Sequence, residues 1–181
     1  HYDKSNSRIL NLNIYPFFFK KFFLKNKKNI FFITPTKWLK KEISNNILLS
    51  EIKTFHIPYP IDNKIFKPIN QVQAKARFSI TTNKKIILFG ALAVNKDKRK
   101  GFYHFEKILD LLSNKDQFLI LTFGSNDPIS INGFKIKNLG VITSQDQMSF
   151  VYNCANVMIV PSEIDNLPQT SLEAQCCGVP V

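Results

Sequence analysis

Cysteine is scarce in this chain, and its three copies, Cys154, Cys176 and Cys177, follow no zinc-ligand or disulfide-framework spacing. Two of them are adjacent, a placement in which a disulfide is strained. All three read as small core residues of a reduced, cytoplasmic protein. No apolar run reaches the roughly 18 residues that a membrane-spanning helix needs. The aromatic stretch Ile14–Ile33 is broken by Lys20, Lys21, Lys25, Lys27 and Lys28, so it can lie on a membrane surface but not cross one. No Gly-x-Gly-x-x-Gly follows any apolar run, which argues against a dinucleotide oxidoreductase. His56 and His104 have no acidic or cysteine partner at ligand spacing, and no metal is expected. Internal repeats and low-complexity blocks are absent. The chain opens at His1 without a methionine and stops at Gly178-Val179-Pro180-Val181, where an apolar strand begins. It therefore reads as a piece of something longer, and no signal peptide is visible in it.

Apolar residues are plentiful by contrast. They make up 44% of the 181 residues, with 17 phenylalanines, enough for a buried core and against disorder. The net charge is +12, and it is unevenly spread. Residues 1–60 hold 11 Lys/Arg against 3 Asp/Glu, and residues 61–181 hold 14 against 10. Such a chain suits nucleic acid, an anionic membrane or phosphorylated substrates. A plain surplus of lysine and asparagine accounts for the same charge equally well.

Short apolar runs alternate with amphipathic stretches from about residue 29. Asn29–Thr34 reads as a buried strand, Pro35 as a first-turn proline, and Thr36–Asn45 as a helix in which Trp38 packs. Thr54–Ile57 is a second strand, closed by Pro58-Tyr59-Pro60 and a linker with Asp62 and Asn63. A new series follows. Lys85–Phe89 is a strand ending at Gly90, and Gly101–Leu112 a helix whose apolar residues fall at spacings of three and four. Phe118–Phe123 and Phe134–Leu139 are strands ending at Gly124 and Gly140. Ser144 and Gln147 form a capping box for a helix to about Ala155. Val157–Val160 is a strand, and Pro168–Cys177 a helix stopped by Gly178 and Pro180. Continuous apolar strands separated by helices predict an α/β fold, a Rossmann-like parallel sheet with helices on both faces. Ligands of such sheets bind beyond the carboxyl ends of the strands.

Two of the loops at that edge carry chemistry. In Phe89–Gly101 (FGALAVNKDKRKG), Gly90 lets the backbone turn closely. Arg99 and Lys100 then stand where a helix begins, and cations beside free helix N–H groups suit a phosphate. A solvated basic loop would look the same. In Val160–Val181 (VPSEIDNLPQTSLEAQCCGVPV), Asp165 precedes a helix and Glu173 lies eight residues on. A carboxylate has acceptors for both hydroxyls of a ribose diol or of a hexose. Asn166, Leu167 and Pro168 lead into a helix start able to hold a pyrophosphate. Two acids at this spacing also fit a merely capped surface helix.

The second segment resembles the signature of retaining GT-B glycosyltransferases of the group 1 type: Pro-Ser, an acid, seven residues, Glu-Ala, then Gly-x-Pro-Val. The same family has counterparts of Thr34–Lys41 (TPTKWLKK), Ile57–Pro68 (IPYPIDNKIFKP), Asp97–Phe102 (DKRKGF) and Gly140–Ser162 (GVITSQDQMSFVYNCANVMIVPS). These five ordered matches are spread over residues 34–181.

The resemblance implies a hexosyltransferase that uses a nucleotide sugar as its donor substrate, needs no cofactor or metal, and retains configuration at the transferred carbon. Its acceptor would be a glycan or a lipid-linked acceptor; the protein itself would be cytoplasmic, at the inner face of the membrane through peripheral association, with no nucleic-acid partner. Lys100 would bind the donor diphosphate, Asp165 the transferred sugar and Glu173 the ribose. The backbone of Val141 and Ile142 would meet the base. The family's first acid is usually Glu, one methylene longer than Asp165. Many members also carry Arg where this chain has Ala91, and Arg99 would supply the missing charge. The implied organisation is residues 1–59 as the remnant of an acceptor domain with its linker, and 60–181 as an incomplete nucleotide-sugar-binding domain. Two rival readings are a basic polyanion-binding protein without enzyme activity and a sugar-nucleotide epimerase of the same fold.

Overall fold

The computed structural model describes residues 14–25, 29–90 and 98–181, which leaves Ala91 and Asp97 outside the described residues. The chain forms two compact units, His1–Pro58 and Tyr59–Val181.

In the first unit, α1 (Ile14–Lys25) is followed by β1 (Phe32–Thr34), α2 (Lys37–Ser44) and β2 (Thr54–His56), with β1 and β2 paired in parallel. Pro35 is not the first helical residue. The Thr36 hydroxyl accepts from the Leu39 N–H at 3.1 Å and makes Thr36 the cap, which leaves the proline outside the helix. Trp38 is 59% exposed rather than packed, and Phe18, Phe19, Phe22 and Phe23 of α1 are exposed as well. Among the described residues, no helix is long and apolar enough to cross a membrane.

The second unit is built on a four-stranded parallel sheet. Its elements are α3 (Gln71–Arg77), β3 (Lys85–Gly90), α4 (Phe102–Asp110), β4 (Phe118–Phe123), β5 (Lys135–Asn138), α5 (Gln145–Cys154), β6 (Val157–Met158) and α6 (Gln169–Cys176). The strand order is β5-β4-β3-β6, all parallel. The period-two alternation of β3 feeds two cores. Ile86 and Leu88 join α3, α5 and α6 on one face through Ala74, Val151, Tyr152 and Ala174. Ile87 and Phe89 face α4 on the other, where the Phe89 and Phe105 rings stack at 4.4 Å. The sheet is therefore Rossmann-like, covered on both faces.

Strand β6 is shorter than the apolar run Val157–Val160. Ile159 adds one more ladder bond, its N–H donating to Leu88 O at 2.9 Å, before Pro161 removes the next donor. Helix α3 carries no apolar stripe, since its buried residue is Ala74 alone. It is held instead by the Asn70 side chain, which accepts from the Val72 N–H at 2.9 Å, and by Lys137 of β5, whose Nζ donates to Phe78 O and Ser79 O. The linker with the Ile57–Pro68 motif is pinned to α5. Ser149 Oγ donates to Ile65 O at 2.7 Å, and Asn153 accepts from the Ile69 N–H at 2.7 Å while donating to Lys67 O. Cys154 and Cys177 are buried, but Cys176 is exposed, because the last turn of α6 directs it away from the core that takes Ala174 and Cys177.

Candidate functional site

The strand order sets the location. The chain runs from β3 through α4 to β4 and β5 on one side, then returns through α5 to β6 on the other side of β3. The succession reverses at β3, so the loops after β3 and β6 flank the switch-point crevice at the carboxyl edge. Arg99 and Lys100 lie in the first loop, and Asp165 lies in the second.

Those two loops interlock. Gly101 sits at φ +71°, a left-handed conformation natural to glycine, and a Cβ there would fall on the Pro161 carbonyl oxygen. The Glu163 N–H donates to Arg99 O at 2.9 Å, and Glu163 Oε1 meets His104 Nε2 at 2.7 Å. Lys100 Nζ donates to Asp165 Oδ2 at 3.0 Å, with side chains 35% and 23% exposed. His104 thus has an acidic partner after all. Spacing along the chain could not reveal it, because the two residues lie 59 positions apart and meet through strand order. Asp165 and Lys100, read from separate motifs, form one pair.

Helices α4 and α6 begin at this edge, and neither has a side-chain cap. Their cap positions are Gly101 and Pro168, whereas Thr36, Asn70 and Ser144 cap α2, α3 and α5 with side-chain oxygens. The first-turn N–H groups of α4 and α6 therefore lack the side-chain acceptor that the other three helices supply. Asn166 and Leu167 lead directly into the α6 start.

Gly90, the last residue of β3, has a steric explanation of its own: a Cβ there would strike the Phe123 ring of the paired strand. Val141 and Ile142 follow β5. The Val141 N–H donates to Asn126 Oδ1 at 3.3 Å, the Gly124 N–H donates to Gly140 O at 2.8 Å, and Ile142 packs against the core. The loops after β4 and β5 are thus tied to each other, with Asn126 as a tether that sequence patterning did not single out.

Glu173 lies apart from the Lys100–Asp165 pair in its contacts. It lines an open cavity of about 270 Å³ with Pro60, Ile61, Asp62, Phe66, Gln145 and Gln169. Its Oε2 accepts from the Tyr152 hydroxyl at 2.6 Å. Burial pushes the Glu173 carboxyl above the usual carboxylate range, and the Tyr152 hydrogen bond partly offsets that rise. Burial, then the same carboxylate, drive the Tyr152 phenol above its ordinary value. Asp62, read as a linker residue, Gln169, read as part of the α6 start, and Gln145 were not seen as neighbours of Glu173, since nothing in their spacing marks them so. Among the described residues, no three His, Cys, Asp or Glu side chains cluster as metal ligands would.

No family model matches the chain, and no curated protein matches it. Solved structures do. A sucrose-phosphate synthase from Thermosynechococcus elongatus aligns over 98% of this chain and 45% of its own, at 22% identity and a TM-score of 0.69. A glycosyltransferase from Rickettsia africae ESF-5 aligns over 92% of this chain and 46% of its own, at 20% identity and a TM-score of 0.68. The C-terminal domain of a glycosyl transferase group 1 family protein from Francisella tularensis covers 66% of this chain and 68% of its own, at 18% identity and a TM-score of 0.52. The fold is that of the GT-B glycosyltransferases. This chain spans less than half the length of the first two GT-B structures.

Proposed function

We propose that this chain is the donor-binding part of a retaining glycosyltransferase, one that moves a hexose from a nucleoside-diphosphate sugar to a glycan or lipid-linked acceptor. The observation that carries the reading is the interlocked pair of loops at the switch point, which presents Lys100 and Asp165 together at 3.0 Å. The GT-B fold of the solved relatives supports it.

A hexosyl diphosphate leaves as an anion, and its charge grows as the glycosidic bond breaks. The protein's task is to stabilise that charge. Lys100, with the uncapped start of α6, supplies the positive potential. Asp165 neutralises Lys100. A bound diphosphate takes over the lysine, and the two Asp165 oxygens are released to accept from hydroxyls of the transferred sugar. The exchange leaves neither group without a hydrogen-bond partner in the partly exposed crevice. Glu173, in its own cavity, accepts from the ribose hydroxyls. No side chain is assigned as general base; the leaving diphosphate oxygen takes the proton of the acceptor hydroxyl as that hydroxyl attacks from the same face.

The test is calorimetric titration of UDP, GDP and ADP into the wild-type protein and Lys100→Ala, followed by NMR assignment of the anomeric configuration of the product. Tight binding of one nucleoside diphosphate, lost in Lys100→Ala, and a retained anomer are expected. Salt-sensitive binding of RNA with no response to any nucleotide would instead make this a polyanion-binding protein.

A further inference from the structure

We propose that Tyr152 is a positioning residue for the donor site: its buried hydroxyl holds Oε2 of Glu173 and so commits Oε1 to the cavity that takes the vicinal diol of the donor nucleoside. The proposal rests on the reading of Glu173 as the ribose-binding carboxylate.

Three observations carry it. Tyr152 is fully buried in α5, its ring seated between Phe66 and Phe123 at 6.1 Å from each, so the phenol has no freedom to seek another partner. Its hydroxyl donates to one Glu173 oxygen at 2.6 Å, the short distance of a charge-assisted bond. Among the described residues, the other oxygen, Oε1, has no hydrogen-bond partner, although Glu173 lines an open cavity with two glutamines and Asp62. A carboxylate fixed at one oxygen has lost its rotamer freedom before the ligand arrives, and that entropy is not charged to binding.

A buried tyrosine that simply satisfied its own O–H would use any acceptor. The site distinguishes the two roles through titration. The ionisable groups around the Glu173 carboxylate are Tyr152 of α5, Asp62 of the linker and Cys177 at the end of α6. Of these, only Tyr152 donates a hydrogen bond to it, and that bond favours the ionised form, against burial. Loss of the O–H therefore leaves Glu173 protonated at a higher pH.

The experiment is calorimetric titration of the full protein with a nucleoside diphosphate and with its 2′,3′-dideoxy analogue across pH 4.5–8, for wild type and Tyr152→Phe. The wild type is expected to prefer the diol-bearing ligand. Tyr152→Phe keeps the ring packing and is expected to lose roughly 2- to 12-fold in affinity for that ligand, with little change for the dideoxy analogue and with the acid limb of binding moved to higher pH. Site-specific 3-fluorotyrosine at position 152, a stronger donor in the same shape, should move that limb to lower pH, and it serves if Tyr152→Phe fails to fold. An unchanged diol preference and an unmoved acid limb in both variants overturn the role of Tyr152. A wild type that does not distinguish the two ligands overturns the ribose assignment of Glu173, and the proposal with it.

Discussion

Lys100 and Asp165, 65 positions apart, meet at 3.0 Å because β3 and β6 are neighbours in the sheet although β4 and β5 intervene in sequence. The pair makes each residue's role testable against the other. Lys100→Ala removes a charge whose value rises as the leaving group forms, so kcat should fall more than KM rises. A charge-assisted hydrogen bond of about 1.5–3 kcal/mol corresponds to roughly 10- to 150-fold. Lys85→Ala, at the amino end of β3, is the control and should leave both constants within about twofold, since exposed charges are screened. Steady-state kinetics of the full-length enzyme decide. Equal, mild losses in both variants would reduce Lys100 to a solvated lysine.

Asp165→Asn should separate binding from turnover. In the wild type, a diphosphate must displace Asp165 from Lys100. The pair is partly exposed, so it is worth about 0.2–1 kcal/mol, and its removal should tighten nucleoside-diphosphate binding roughly 1.5- to 5-fold. Turnover should nevertheless fall, because the amide presents only one acceptor to the sugar. Weaker nucleotide binding by Asp165→Asn would contradict the exchange of partners.

The central strands β3 and β4 were legible in the sequence because they are buried on both faces and so read as unbroken apolar runs, Lys85–Phe89 and Phe118–Phe123. Helix α3 was not, since Ala74 is its one buried residue and polar side chains hold it from outside. Asp165, Glu173 and Lys100, whose roles came from the family resemblance rather than from spacing, were singled out by their place in segments at the carboxyl edge. Their partners were not: Tyr152 reads as one more apolar residue of α5, and the His104–Glu163 contact depends on strand order. Cys176 was misplaced for a related reason, because two adjacent helical positions point about 100° apart and only one can face the core.

Gly101→Ala should be more damaging than its size suggests. Alanine at φ +71° costs about 1–2 kcal/mol, and its methyl would strike the Pro161 carbonyl of the loop after β6, at the point where the two loops pack. Calorimetry should show a Tm lower by roughly 2–8 °C, with turnover lost beyond what the residual folded fraction explains. A normal Tm would mean that the loop contact is dispensable.

Glu173→Gln should weaken nucleotide binding and yet stabilise the fold at neutral pH. The folded-state pKa of Glu173 is raised, so ionising it costs folding free energy at pH values above that pKa. The cost fades as pH falls through the folded value towards the unfolded one, where both states are protonated. Glutamine never ionises and can still accept from the Tyr152 hydroxyl. Its Tm should therefore exceed the wild type's near pH 7. The two curves should converge as the pH approaches about 4.5. A lower Tm for Glu173→Gln at pH 7 would show that the carboxylate is a structural partner of Tyr152 rather than a charge held ready for a ligand.

The thiols offer a check on the core that involves no ligand. Burial pushes the Cys154 thiol up to about 12, and it raises the Cys177 thiol as well. Only thiolates react with disulfide reagents at a useful rate, so both should be inert in the folded protein. Cys176 is exposed one residue before Cys177. Titration with an aromatic disulfide at pH 8 should therefore consume one equivalent quickly and two more only as fast as the protein opens, with denaturant merging the phases. Cys176→Ser should abolish the fast phase and leave Tm within about 1 °C, as a surface substitution does. Rapid reaction of two thiols would place Cys177 at the surface and break the packing of α6 against α5 on which the Tyr152–Glu173 contact depends.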